Sequence, residues 1–223
     1  MVTRAEHDAR RRPPESNFRY LFVGVVSLLV LEPIGDVAFG RSYDRVLGIL
    51  LTILLLVGIW GLNASRLWLR VGRALVATGL VLGVATALWP VPLLQATHSM
   101  VVGLFFVLSA AIGLRQILAR GPVTVDHLLG AMTVYLLLGL TWALVLSTVN
   151  RLAPASFTGL STGSGSEFMY LSFVTLATLG FGDITPVHPI ARTLVYLEAV
   201  VGQLYVAVLV ASLVSRHVAG RPE

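Results

Sequence analysis

The segment Thr178-Leu179-Gly180-Phe181-Gly182-Asp183 concentrates the unusual chemistry of this chain. It closes a short apolar stretch, 168–178, and precedes a long one that begins at 190. Gly180 and Gly182 lack Cβ, so the backbone there can adopt φ > 0 at little cost. The bland alternative for this pattern is a glycine-rich turn between two buried helices. Side-chain chemistry is scarce elsewhere. There is no Cys, which excludes disulfides, thiolate metal sites and cysteine nucleophiles. The 5 His and 11 carboxylates show no metal-ligand spacing. No H-E-x-x-H motif and no serine–histidine constellation marks an intramembrane enzyme. Neither a cofactor nor a catalytic residue is expected.

The elements that must position this segment are apolar. Of 223 residues 56% are hydrophobic and 12% charged, with a mean hydropathy of +0.85. A soluble domain carries about 25% charged residues, so this is an integral membrane protein. Crossing a bilayer takes about 20 apolar residues. Six stretches qualify, at about Phe18–Phe39, 44–62, 71–89, 99–119, 125–149 and 190–215. The piece 168–178 is too short to cross, so it should enter and return on the same side. Such re-entrant backbone is tolerated only where protein or a water-filled cavity surrounds it. The first stretch lacks a clear small-x-small cleavage site and contains Glu32-Pro33, so it reads as a retained span. Residues 151–166 are rich in Ser, Gly and Thr and read as an exposed loop ahead of the short helix. That helix should start near Glu167, capped by Ser164 or Ser166.

All 16 basic residues are Arg. A pI near 10.2 could suggest nucleic acid, but the arginines sit in short loops between apolar runs, which fits membrane orientation instead. With the N-terminus in the cytoplasm and six crossings, one side carries Arg4, Arg10, Arg11, Arg12, Arg19, Arg66, Arg70, Arg73, Arg115, Arg120, Arg216 and Arg221. The other carries Arg41, Arg45, Arg151 and Arg192. This bias puts both termini in the cytoplasm of a multi-pass protein of the cell membrane. It puts the re-entrant piece on the outer side.

The hexapeptide resembles the selectivity filter of potassium channels, T-V-G-Y-G-D in its commonest form. Leu179 stands for Val and Phe181 for Tyr. A match to T-x-G-[YF]-G-D arises by chance on the order of once in 10⁶ windows. The resemblance continues through Pro186, Arg192 and Gly202, and through Leu197-Glu198-Ala199 and Gly202-Gln203-Leu204-Tyr205. Together with Tyr135-Leu136-Leu137-Leu138-Gly139 it covers about 124–218, and it points to small bacterial channels with a two-helix pore module. It implies an all-α membrane protein of six transmembrane helices, with a re-entrant pore helix and a tetrameric pore. The carbonyls of Thr178, Leu179, Gly180 and Phe181, with the Thr178 hydroxyl, would replace the hydration shell of K+, the permeant ion. Asp183 would close the filter at the outer mouth. Val174 occupies the place where some relatives carry a Glu paired with this Asp, so Asp183 needs another donor or water. Val174, Thr175 and Glu198 would support the filter. Gly202 would be an inner-helix hinge or a packing glycine, and Gln203, Val206, Val210 and Ala211 would line the cavity. Phe181 lacks the usual hydroxyl, which removes one bond to the pore helix.

The implied organisation is a tail at 1–17, a four-helix module at 18–120, a pore domain at 121–218 and a short tail at 219–223. Its partners would be three further copies of itself, membrane lipids and K+. The implied function is passive, potassium-selective conduction, weakly or not voltage-gated. The alternatives are a less selective cation channel of the same architecture or a potassium transporter subunit. With so few residues after 215, no cytoplasmic ligand-binding domain is expected. Glu198, a carboxylate inside a span, is a functional candidate by default. It could hydrogen-bond behind the filter or enrich cations in the cavity. Glu32 and Asp36 could pair with Arg41 or Arg45. His188 could make flux pH-sensitive or be an ordinary loop histidine. Asp126 and His127 read as a helix start, and Tyr170, Phe173, Tyr196 and Tyr205 as packing residues.

Overall fold

The computed structural model describes residues 18–39, 66–118 and 125–219. The expected second span, 44–62, and the expected tails at 1–17 and beyond 219 lie outside them. Among the described residues six helices run in chain order, α1 (Phe18–Phe39), α2 (Arg66–Leu88), α3 (Pro92–Leu118), α4 (Val125–Leu152), α5 (Gly165–Leu176) and α6 (Pro189–Ala219). Among the described residues, α2, α3, α4 and α6 are long and apolar enough to cross a membrane. The apolar part of α1, Phe18–Leu31, is shorter. The 12 residues of α5 reach about 18 Å, well short of a hydrocarbon core of about 30 Å.

Two helices start earlier than hydropathy suggests. Arg66 and Arg70 belong to the first turns of α2 rather than to a connection. The α2–α3 turn is only Trp89-Pro90-Val91, so α3 begins at Pro92, where a missing N–H costs nothing. Two polar side chains of its first turns find partners. Thr97 Oγ1 donates to the Leu93 carbonyl at 2.8 Å, and Gln95 accepts from Arg151 Nη1.

The central element is α4, which packs against α1, α3, α5 and α6. Its hydroxyls are hidden within its own backbone. Thr133, Thr141 and Thr148 each donate to the carbonyl four residues back at 2.7 Å, so they can face apolar neighbours. Small residues allow close approach, as is common between membrane helices. Phe18 sits against Gly113 of α3 and Gly130 of α4, and the Phe173 ring fills the place where a Cβ of Gly139 would lie. One core joins Leu21, Val25, Phe105, Phe106, Val134, Leu137 and Leu140. Arg19 pairs with Asp126 at 3.3 Å, so the start of α1 meets the start of α4. The Arg115 guanidinium lies 5.7 Å from the centre of the Trp68 ring, so the end of α3 meets the start of α2. Arg151 and Arg192 belong to the opposite ends of α4 and α6.

A second core, Leu146, Phe157, Phe168, Leu171, Ile184 and Ala191, lies at that opposite end. Phe157 and Phe168 meet edge to face at 5.5 Å. Here the expected exposed loop is corrected in part. Its middle forms β1 (Phe157–Thr158), paired antiparallel with β2 (Thr185–Pro186), and Ser156 and Phe157 are buried. The Ser156 carbonyl accepts from the backbone N–H groups of Val187 and His188 at 2.9 and 3.3 Å. Gly159, at φ 85°, abuts the Asp183 carbonyl so closely that no Cβ fits. The loop is thus tied to the chain that follows the glycine-rich segment.

Candidate functional site

The site is built on α5. Ser164 is its N-cap, and Glu167 occupies the third helical position. The Glu167 carboxylate accepts from the backbone N–H groups of Ser161, Thr162, Gly163 and Ser164. Partial burial pushes this carboxyl up, but those donors outweigh it and hold it below the usual carboxylate range. A fixed negative charge at a helix N-terminus also suits the helix dipole.

At its other end α5 hands the chain to 178–183. The helix closes at Ala177, whose N–H bonds the Phe173 carbonyl at 3.0 Å. Thr178 N–H then donates to the Thr175 carbonyl at 2.9 Å, and Leu179 N–H to the Val174 carbonyl at 2.8 Å. Val174 and Thr175 therefore hold the segment through their main chain, with both side chains buried. Positive φ falls on alternate residues, Thr178 at 58°, Gly180 at 54° and Gly182 at 80°. A Cβ on Gly180 or Gly182 would meet nothing within 4 Å, so conformation alone demands glycine there. Thr178 is β-branched and pays a strain penalty that the sequence did not announce. Strain of this kind gathers at functional sites.

Leu179 is 58% and Phe181 66% exposed on the single subunit. Within the subunit Phe181 stacks on Tyr170, ring centres 6.4 Å apart. Tyr170 also resolves the donor that Asp183 needs. Its hydroxyl donates to Asp183 Oδ2 at 2.7 Å, and this bond holds the Asp183 carboxyl below the usual range. Reading Tyr170 as packing alone missed this. A signal existed, because Tyr170 lies one helical turn before Val174, on the same face of α5.

The inner end of the segment meets α6. Gln203 Nε2 lies 3.5 Å from Thr178 Oγ1. A Cβ on Gly202 would stand 2.5 Å from the Leu176 carbonyl, so this glycine lets α6 pass close beneath α5. Gln203, Val206, Val210 and Ala211 are exposed on the single subunit. Glu198 is fully buried, with Oε1 2.5 Å from Ser172 Oγ. His188 caps α6, accepting the Ile190 N–H at Nδ1 at 3.3 Å. The side chains of Glu32 and Asp36, and residues Arg41 and Arg45, lie outside the described part. Among the described residues no cluster of His, Asp and Glu could hold a metal ion.

This geometry spans a stretch with known relatives. Residues 124–218, which hold α4, α5, the glycine-rich segment and α6, match a family described as ion channel. Protein LctB of Geobacillus stearothermophilus is 31% identical over 135 residues, covering 60% of this chain and 87% of that protein. The inward rectifier potassium channel Kirbac3.1 of Paramagnetospirillum magnetotacticum is 41% identical over 54 residues, 24% of this chain and 18% of that one. No solved structure matches the chain.

Proposed function

This chain belongs to the potassium channel family and is an ion channel rather than an enzyme, and on that premise we propose that four copies conduct K+ selectively and passively through one central pore. The observation that carries the reading is the alternation of positive φ along Thr178, Gly180 and Gly182. A backbone that alternates in hand turns successive carbonyls to one side, as a ring of cation ligands requires. Among the described residues there is one such segment, and it supplies a quarter of each ring. Leu179, Phe181 and, on α6, Leu204 and Val208 are apolar and exposed on one subunit, as surfaces covered by neighbouring subunits would be. Residues 121–218 form the pore module, and 18–120 a surrounding helical module. The arginine bias supports cytoplasmic termini in the cell membrane, with Asp183 at the outer mouth. An inward rectifier potassium channel among the relatives supports K+ as the permeant ion.

The missing Phe181 hydroxyl favours a looser filter, and so a less selective cation channel. The Tyr170–Asp183 bond and the Tyr170–Phe181 stack act against it. Purified protein in liposomes, loaded against K+ or Na+ gradients, tests the two. Flux carried by K+ and not by Na+ supports the proposal. Equal fluxes would assign the chain to the less selective class.

A further inference from the structure

The geometry points to Glu198 as a positioning residue that works as a neutral acid, donating its proton to Ser172 and so tying α4, α5 and α6 together behind the filter. The reasoning is a count of protons. Ser172 Oγ stands 2.7 Å from the Gly139 carbonyl of α4 and 2.5 Å from Glu198 Oε1 of α6. Both separations are hydrogen-bond lengths between oxygens. A serine hydroxyl has one proton to give and lone pairs to receive another. The Gly139 carbonyl can only accept. If Ser172 gives its proton to Gly139, the proton in the second contact must come from Glu198. An ionised Glu198 would leave one pair of oxygens facing each other without a proton.

Two further observations agree. Glu198 is 0% exposed, and its Oε2 has no hydrogen-bond partner among the described residues. A buried carboxylate needs donors on both oxygens or a cation beside it; a carboxylic acid needs far less. Among the described residues the neighbouring elements bring no cation. From α4 the titratable group within electrostatic reach is Tyr135. On α5 the acidic residue is Glu167, whose oxygens are turned to the loop amides at the far end, and Tyr170 is engaged with Asp183. On α6 itself, Arg192 reaches back to the Pro186 carbonyl, and Tyr205 donates to the Ala131 carbonyl. The chain Glu198→Ser172→Gly139 therefore has a direction. It fixes Ser172, which stands two residues before Val174, and the Val174 carbonyl holds Leu179.

The experiment is infrared spectroscopy of the purified protein, with flux as a second readout. At neutral pH the wild type should show a carboxylic-acid C=O band that disappears in Glu198→Gln. In Ser172→Ala, which removes the acceptor and keeps the acid, the band should move to higher frequency. Glu198→Gln still has an N–H to give Ser172, so it should keep selective K+ flux near wild type. Glu198→Ala should lose roughly tenfold, as expected for a buried bond left unmade. A spectrum with only ionised carboxylates overturns the assignment, and so does a Gln variant as impaired as Ala. The flux comparison rests on the channel reading above, whereas the infrared band does not. A clear band in a protein that passes no K+ would support this assignment and sink that reading.

Discussion

Thr178, Gly180 and Gly182 divide the filter question between what residue type announces and what only coordinates reveal. The two glycines announce themselves, because φ > 0 is their usual reason to recur in a short segment. Thr178 at φ 58° does not, since a β-branched residue carries no sign of the left-handed region. Tyr170 was legible as a donor only through its place one helical turn before Val174, because the bond itself spans 13 residues and leaves no local pattern. Gly180→Ala should abolish selective flux. Space is open around it, so the loss would come from conformation, at about 1–2 kcal/mol in each subunit. Unchanged K+ over Na+ selectivity in that variant would remove the segment from its role. Tyr170→Phe keeps the stack on Phe181 and deletes the bond to Asp183. The sign follows from the carboxyl. Its range is depressed in the folded protein, so the bonded state persists above the usual carboxylate range and is lost as pH falls through the lowered one. Without the hydroxyl, loss of flux on acidification should begin at a higher pH. Flux against external pH in both proteins checks this, and superimposed profiles would count against Tyr170.

The elements were legible to different degrees for physical reasons. Length and hydropathy report burial in lipid, so long apolar helices stand out, and so does α5 as a half-length piece. The ends do not stand out, because Arg66, Arg70, Gln95 and His98 are polar yet helical, and Gln95 is held by Arg151 of α4, which hydropathy does not report. The β1–β2 pair was invisible, since two-residue strands have no period to detect. Its anchors, Ser156 and Gly159, are small residues that read as loop. The start of α5 was readable from Ser164 and Glu167, although not the number of amides the carboxylate gathers. Glu167→Ala should destabilise this corner by about 1 kcal/mol or more, the scale of a helix cap. Amide hydrogen exchange at residues 161–164 should quicken while that of α4 is unchanged. Equal protection of 161–164 in the variant would show that the carboxylate does not organise the loop. This contribution is present above the usual carboxylate range and fades as pH falls through the depressed one.

For the whole molecule, the question is how helices outside the pore relate to its opening. A voltage sensor needs several charges that move through the membrane field. Among the described residues of α3, Arg115 is the only basic one, placed in its last turn over the Trp68 ring. Four such charges crossing the full field would yield only about 9 kcal/mol per 100 mV, and one near the interface crosses far less. Arg66, Arg70 and Arg73 lie in the first turns of α2, beside the same end of α3, where they suit lipid headgroups. Open probability in planar bilayers should therefore change little with voltage. A steep rise over some tens of millivolts would reveal a sensor. The central claim is a potassium-selective filter formed by Thr178–Asp183 from four subunits. Its most direct test is the reversal potential of the purified channel with K+ on one side of a planar bilayer and Na+ on the other. The account predicts a reversal potential far from zero, of the sign set by K+ permeation, that collapses toward zero in Gly180→Ala. A wild-type reversal potential near zero would contradict it.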